Sequence, residues 1–335
     1  MRLYKESLGV ILFIILTNII VSDSLAQIRT KSHRMDRELN LSYDNDSYFG
    51  SDQYYTSGMH VTYSRHVKSQ KWFYRKFSSK KSDSSKLIIR YSYGHKMFTP
   101  SNIKIKPEQV SKIDRPYAGW HYAALTTDNY PSPNSKNSYK ITIGLLGEQS
   151  GIGNFQEWWH NAFRIKQPRG WRSQISNQAI LNLQYNRLQS FQIYDKMDII
   201  TDSHVTFGNG ANKIGQSALV RWGDPNPLNN TAIASSRLSN ATPELTKADS
   251  QKDEFFLFYG FNAQYVFSDA FIQGSLFNDN SPITKDIKHL VYIQKIGFMY
   301  SHYFTTLALT SYSISREVVG AKIHRYISLD LALRF

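Results

Sequence analysis

Three observations predict an all-β chain, a closed antiparallel transmembrane β-barrel of about 12 strands. At the end of the chain Ile327, Leu329, Leu331, Leu333 and Phe335 alternate with Ser328, Asp330, Ala332 and Arg334, so this strand has one apolar and one polar face and stops on an aromatic ring. Past residue 26 no stretch is long and apolar enough for a spanning helix, and a mean hydropathy of −0.44 is what results when lipid-facing and lumen-facing side chains take turns. The 22 Tyr and 19 Phe suit strands and interfacial girdles, while 18 Gly and 10 Pro supply turns.

The elements follow in order. Residues 1–26 read as a signal peptide: Arg2 and Lys5 precede an apolar run from Leu8 to Val21, and Ser24-Leu25-Ala26 offers a small-residue cleavage site. That run falls short of the roughly 18 residues a spanning helix needs. Residues 27–335 then form a single barrel domain in the bacterial outer membrane. Period-two alternation marks strands near 38–46, 54–66, 86–96, 118–127, 138–147, 178–190, 196–208, 213–223, 254–267, 288–301, 303–315 and 322–335. A further alternating run at 270–277 would make the count odd, so it is assigned to a loop or a strand extension. In the last strand Leu329, Leu331 and Leu333 are expected to face lipid and Asp330 the lumen.

Strand parity sorts the connections. With both ends of the barrel in the periplasm, 47–53, 97–117 and 148–177 fall on the outer rim. The basic stretch Lys68 to Lys81 and the polar insertion 224–253 fall on the periplasmic side, the latter expected to be partly disordered.

Composition narrows the function. The formal net charge of +14 attracts polyanions, and for an exported barrel the abundant one is phosphorylated lipopolysaccharide, not nucleic acid; a solvated basic surface accounts for the same number. The absence of cysteine excludes disulfides, a thiol nucleophile and a thiolate metal site. No G-x-S-x-G elbow, H-E-x-x-H pair or Walker loop is present.

Three outer-rim segments exceed what a connector needs. The first, Tyr43-Asp44-Asn45-Asp46-Ser47-Tyr48-Phe49 followed by Asp52-Gln53-Tyr54-Tyr55-Thr56-Ser57-Gly58, gathers oxygen donors that suit either Ca²⁺ or an Asx-rich hairpin turn. The second holds Lys104, Lys106 and Asp114-Arg115-Pro116-Tyr117-Ala118-Gly119-Trp120. There Asp114 and Arg115 are expected to pair with each other, and the lysines either bind phosphate or stay solvated. The third runs from Gly147-Glu148-Gln149 through Gln156-Glu157-Trp158-Trp159-His160 to Pro168-Arg169-Gly170-Trp171. Gln156 and His160, four apart, share a face if the loop holds a helical turn.

This set, together with Asn182-Leu183-x-Tyr185-x-Arg187, resembles the LpxR-type lipid A 3′-O-deacylases over residues 36–223, while the remainder is similar only in strand pattern. The resemblance implies a 12-stranded barrel that removes the 3′-linked acyloxyacyl group of lipid A by Ca²⁺-dependent ester hydrolysis. It implies Asp46 as metal ligand beside Asn45, Thr56 as a site threonine, Gln156 as the family's glutamine and His160 as general base. The family's lysine falls on Lys104, with Lys106 as the competing assignment. Where the family has an acidic residue shortly before the Gly-Trp, this chain has Ile165-Lys166-Gln167, so that carboxylate must come from elsewhere, with Glu157 a candidate. The expected partners are lipopolysaccharide in the outer leaflet and, through the terminal strand, the outer-membrane assembly machinery; the expected state is a monomer. The alternatives are a non-enzymatic barrel, either a pore or a lipopolysaccharide-binding protein, and an outer-membrane phospholipase.

Overall fold

The computed structural model describes residues 35–67, 86–104, 107–238, 253–278 and 280–335. Twelve antiparallel strands close into one barrel, each paired with its neighbours in sequence and the first with the last. They are β1 (Arg37–Asn45), β2 (Tyr54–His66), β3 (Lys86–Thr99), β4 (Ala118–Ser132), β5 (Ser135–Leu146), β6 (Gln178–Tyr194), β7 (Met197–Gly208), β8 (Ala211–Asp224), β9 (Glu254–Asp269), β10 (Leu290–His302), β11 (Thr305–Ile314) and β12 (His324–Arg334). Helix α1 (Ile152–Ala162) lies in the β5–β6 connection and the one-turn α2 (Ala270–Gln273) follows β9. The alternating run at 270–277 is thus a short helix and a loop, not a strand. The segment read as a signal peptide and the basic stretch 68–81 lie outside the described residues.

Register explains why the sequence alternates. At the closing seam Glu38 pairs with Arg334, Ser42 with Asp330 and Tyr43 with Leu329. Even-numbered residues of both strands point inward: Glu38, Asn40, Asp330 and Ala332 line a lumen cavity of about 230 Å³ together with Thr62, Arg90 and Lys295. Leu329, Leu331 and Leu333 therefore take the outer face and Asp330 the inner, as the alternation requires. Outside, Tyr194, Trp222, Phe255 and Tyr300 are exposed toward the end where the first strand starts and the last one stops, and Phe207 and Phe267 near the opposite rim. Two aromatic belts flanking an apolar wall are the signature of a membrane barrel.

Two arginines in the lumen are matched by acidic partners, because an unpaired buried charge is costly. Arg334, fully buried, donates to Glu38 Oε2 and Thr306 Oγ1, each at 2.9 Å, and to Ser301 Oγ at 3.0 Å. Arg221 donates through Nε to Asp198 Oδ1 at 2.8 Å and through Nη1 to Thr231 Oγ1 at 2.8 Å.

Thr231 belongs to the polar insertion, of which 239–252 lie outside the described residues. Its first part, residues 226–238, turns back into the lumen at the end that carries the chain termini. Leu228 and Leu238 are buried against Ile88, Ile200, Leu219 and Phe256, and Ala232, Ile233 and Ser235 form part of the cavity wall. Strand side chains reach in to satisfy the segment's carbonyls: Tyr130 Oη donates to Ala234 O at 2.6 Å, Lys136 Nζ to the same oxygen at 2.9 Å, and Lys86 Nζ to Asn229 O at 3.1 Å. Apolar residues scattered among polar ones, without a period, carry this inward fold.

Candidate active site

Parity places the connections 46–53, 100–117 and 147–177 at the rim opposite the chain ends. They converge there on the outside of the barrel wall. Tyr93 and Leu125 are exposed outward-facing residues of β3 and β4, so His95, Gly119 and His121, which share their parity, also face out. Helix α1 packs on this outer surface: Phe155 meets His95 with ring centroids 5.6 Å apart, and Ser150 O, just before the helix, contacts His121 Nδ1 at 2.8 Å. A Cβ on Gly119 would stand 2.7 Å from Ile152 Cβ, so only glycine lets the helix come this close to β4.

Helical spacing then sets the site. Ile152, Gln156 and His160 form one buried stripe, as the four-residue interval predicts. Gln156 is held on both sides of its amide: Oε1 accepts from Trp171 Nε1 at 2.7 Å and Nε2 donates to Asp52 Oδ1 at 3.3 Å. His160 Nδ1 lies 2.5 Å from Lys166 O. A carbonyl only accepts, so Nδ1 carries a proton, and in the neutral ring the lone pair is on Nε2. That Nε2 stands 3.6 Å from Asp52 Oδ2.

Asp52 thus joins the β1–β2 hairpin to the helix. In the same hairpin Asp46 is buried; its Oδ2 accepts from Ser51 Oγ at 2.7 Å and Gln53 N at 2.8 Å, while its Oδ1 has no hydrogen-bond partner. Burial, with Asp52's charge adding to it, pushes the Asp46 carboxyl well above the usual carboxylate range, against the hydrogen bonds from Gln53 and Ser51. The turn reading of the motif is the one observed. One face of the hairpin is an Asx-type turn, in which Asn45 Oδ1 accepts from Ser47 N at 2.7 Å, and the other presents an orphaned carboxylate oxygen. Gly50, at φ 69°, closes the turn in the left-handed region.

The remaining predicted residues are placed less centrally. Asn45 lies on the outer face at the end of β1, its Nδ2 donating to Tyr43 Oη at 2.9 Å, and both halves of its amide have local partners. Thr56 is buried beside the hairpin: its carbonyl accepts from Asp46 N at 3.2 Å and its Oγ1 shares a hydrogen bond with Thr99 Oγ1 at 2.7 Å. Lys104 is exposed on the β3–β4 loop, one residue after Ile103, whose carbonyl accepts from Tyr117 Oη at 3.2 Å and Arg169 N at 2.9 Å. The competing Lys106 lies outside the described residues.

Two expectations are corrected. Asp114 and Arg115 do not pair with each other. Asp114 accepts from Tyr54 Oη at 2.7 Å and Ser101 N at 2.9 Å, whereas Arg115 donates to Glu317 Oε2 at 2.9 Å and lies over the Phe98 ring. The two residues lie in a bend before β4, and each side chain finds its partner in a different segment. The carboxylate nearest His160 and Gln156 is Asp52, not Glu157, which is half-buried on α1 outside the stripe that carries them. Asp52 was visible in the acidic hairpin, but only the fold brings it to the helix.

Could this rim hold Ca²⁺? The orphaned, buried Asp46 Oδ1 and the neighbouring Asp52 carboxylate are hard, anionic donors of the kind it prefers. Among the described residues no group of three His, Cys, Asp or Glu side chains converges, so neutral oxygens would have to complete the shell. The donor set fits such an ion.

A family model described as Outer membrane protein LpxR matches residues 10–335. No curated protein matches the chain. Among solved structures, LpxR from Salmonella typhimurium superposes with a TM-score of 0.68 at 19% identity, covering 89% of this chain and all 100% of that one. An outer membrane channel from Pseudomonas putida F1 gives 0.47 at 7% identity, over 91% of this chain and 97% of the other. The translocator domain of the autotransporter NalP from Neisseria meningitidis gives 0.43 at 6%, over 96% and 95%.

Proposed function

Since the chain belongs to the LpxR family of outer membrane proteins, we propose that it is a lipid A 3′-O-deacylase whose reaction takes place against the outer wall of the barrel, with His160 as general base. The observation that carries this reading is the hydrogen bond from His160 to the Lys166 carbonyl. Its Nδ1–H is spent on Lys166 O, which leaves Nε2 as a proton acceptor facing Asp52 at the rim.

The chemistry is a balanced hydrolysis. His160 Nε2 takes a proton from water as the water oxygen bonds to the ester carbonyl carbon. The tetrahedral intermediate then collapses, the bond to the sugar oxygen breaks, and the proton on His160 passes to that oxygen, releasing a carboxylic acid and a free hydroxyl. Gln156, locked between Trp171 and Asp52, orients polar groups of the substrate, and Lys104 offers a positive charge to the developing oxyanion. Asp46 and Asp52 would hold Ca²⁺, with Thr56 beside them; when bound there it supplies positive charge that stabilises the oxyanion. Asn45 supports the hairpin through its turn hydrogen bond.

The position suits a lipid substrate. A site on the outside of the wall is reached from the outer leaflet without passage through the lumen. The lumen itself is occupied at its periplasmic end by residues 226–238, which supports an enzyme over a pore. Mass spectrometry of lipid A from cells carrying the protein tests the reading. Loss of the 3′-acyloxyacyl group with the intact protein and its retention with His160→Ala is the expected result, and retention with both would overturn it.

A further inference from the structure

The aromatic side of α1 that flanks its buried stripe has no part in the chemistry above. It carries Phe155, 38% exposed, and Trp158, 60% exposed, with Trp159 and Phe163 half-buried beside them. These rings form one continuous cluster, with centroid separations of 6.0 Å for Phe155–Trp158, 6.3 Å for Trp158–Trp159 and 4.4 Å for Trp159–Phe163. Aromatic side chains left in the open on a helix one turn from a catalytic histidine need an environment that accepts both their apolar bodies and the polar edge of indole.

The structure shows where that environment is. Phe155 touches His95, and His121, which meets His95 edge-on at 5.9 Å, stacks on Tyr93 at 5.5 Å; Tyr93 is 58% exposed on the barrel wall. The cluster is therefore continuous with the lipid-facing surface and does not stand clear of it. The same wall carries the exposed rings of Phe207 and Phe267 toward this rim. Indole and phenyl rings on such a surface partition to the boundary between headgroups and acyl chains.

We propose that Phe155, Trp158, Trp159 and Phe163 form an interfacial anchor that dips into the outer leaflet and holds α1 at the depth of the acyl–headgroup boundary. The anchor works whether or not the helix is catalytic. If it is, the same seating sets His160 at the level where ester groups lie, since the ridge flanks the buried stripe along the same three helical turns.

The chain contains no cysteine, so a single introduced thiol is a unique handle. Trp158→Cys, carrying a nitroxide label and reconstituted in vesicles of phospholipid and lipopolysaccharide, should collide more with dissolved oxygen than with a water-soluble nickel chelate. Its depth reading should match that of a label at Phe207→Cys on the belt. A label at the exposed Asn161→Cys should prefer the nickel chelate. If Trp158→Cys does not insert, Phe155→Cys gives the same reading. A label at 158 or 155 with the aqueous profile of 161 would overturn the anchor. Because no step of hydrolysis is measured, that result would leave the deacylase reading untouched, and an inactive protein with a lipid-exposed label would leave the anchor standing.

Discussion

Asp52 and His160 face each other across the outer rim, Oδ2 to Nε2 at 3.6 Å, although one sits in the first hairpin and the other on the helix between β5 and β6. The gap is longer than a hydrogen bond, and with the proton on Nδ1 a lone pair faces a carboxylate. A proton, a water or a cation between them resolves that repulsion, which gives the site its polarity.

Replacing His160 with alanine should lower the rate of 3′-deacylation about 10²–10⁴-fold, the usual contribution of a positioned base. The barrel should still insert and show the gel mobility shift on heating that closed barrels give, since its strands bond to one another and not to α1. Lipid A mass spectra from the two strains, normalised to inserted protein, check this; near-parental cleavage by the variant would refute the assignment.

Asp52→Asn keeps the size of the side chain and removes its charge. It should weaken the hold on both Gln156 and His160 and cut turnover by about 10–100-fold, the worth of a charge-assisted hydrogen bond of roughly 1.5–3 kcal/mol. Glu157→Gln should change turnover less than about 3-fold, because Glu157 lies outside the stripe formed by Gln156 and His160. Equal losses in both variants would mean that Glu157 supplies the needed carboxylate after all.

For Asp46 the pH dependence has a definite sign. Its carboxyl is raised by burial and by Asp52, so in the folded protein without a cation it keeps its proton to higher pH than an ordinary aspartate. Its contribution to stability is then fully present below the unfolded-state value and is lost as pH rises through the raised folded value. A bound cation must displace the proton. Ca²⁺ affinity, read by calorimetry on the purified protein, is therefore expected to fall on acidification at a pH above the normal carboxylate range. Asp46→Asn should abolish that dependence together with most of the binding; an affinity independent of pH in the parent protein would argue against Asp46 as a ligand.

The inward segment gives a prediction on transport. The intact protein should pass little steady current in planar bilayers. Replacing residues 227–237 by a short glycine-serine linker should open a measurable conductance, because Leu228, Ile233 and Ala234 then leave the periplasmic end of the lumen. Large, stable conductance of the parent would restore the pore alternative.

Most of the fold was legible in the sequence because alternation is a local signal: the marked segments differ from the observed strands mainly by a few residues at their ends, as at β3 and β6. The site was legible only in part. Gln156 and His160 share a face because helical periodicity says so, and Asp46 stands out in an oxygen-rich hairpin. The role of Asp52 depends on how that hairpin returns against a helix far along the chain, which no spacing encodes. Pairing Asp114 with Arg115 failed for the opposite reason, since adjacency in sequence does not make a contact: the partners Tyr54, Ser101 and Glu317 come from other segments. The insertion read as loose because Leu228, Ile233 and Leu238 follow neither period of regular structure.

Arg334 closes the molecule in time as well as in space. Its contact with Glu38 spans 296 residues of chain, whereas the other strand pairs join neighbours in sequence. The seam is therefore the one pairing that must wait for everything between it. By loop-closure reasoning that distance costs about 3–4 kcal/mol more than a short hairpin, so the delay is one of order more than of thermodynamics. Without β12 in place, β1 is an open edge able to pair with the wrong strand. Arg334 reaches Glu38 on β1, Ser301 on β10 and Thr306 on β11, so the side chain that closes the seam is also one whose buried partners come together only on closure.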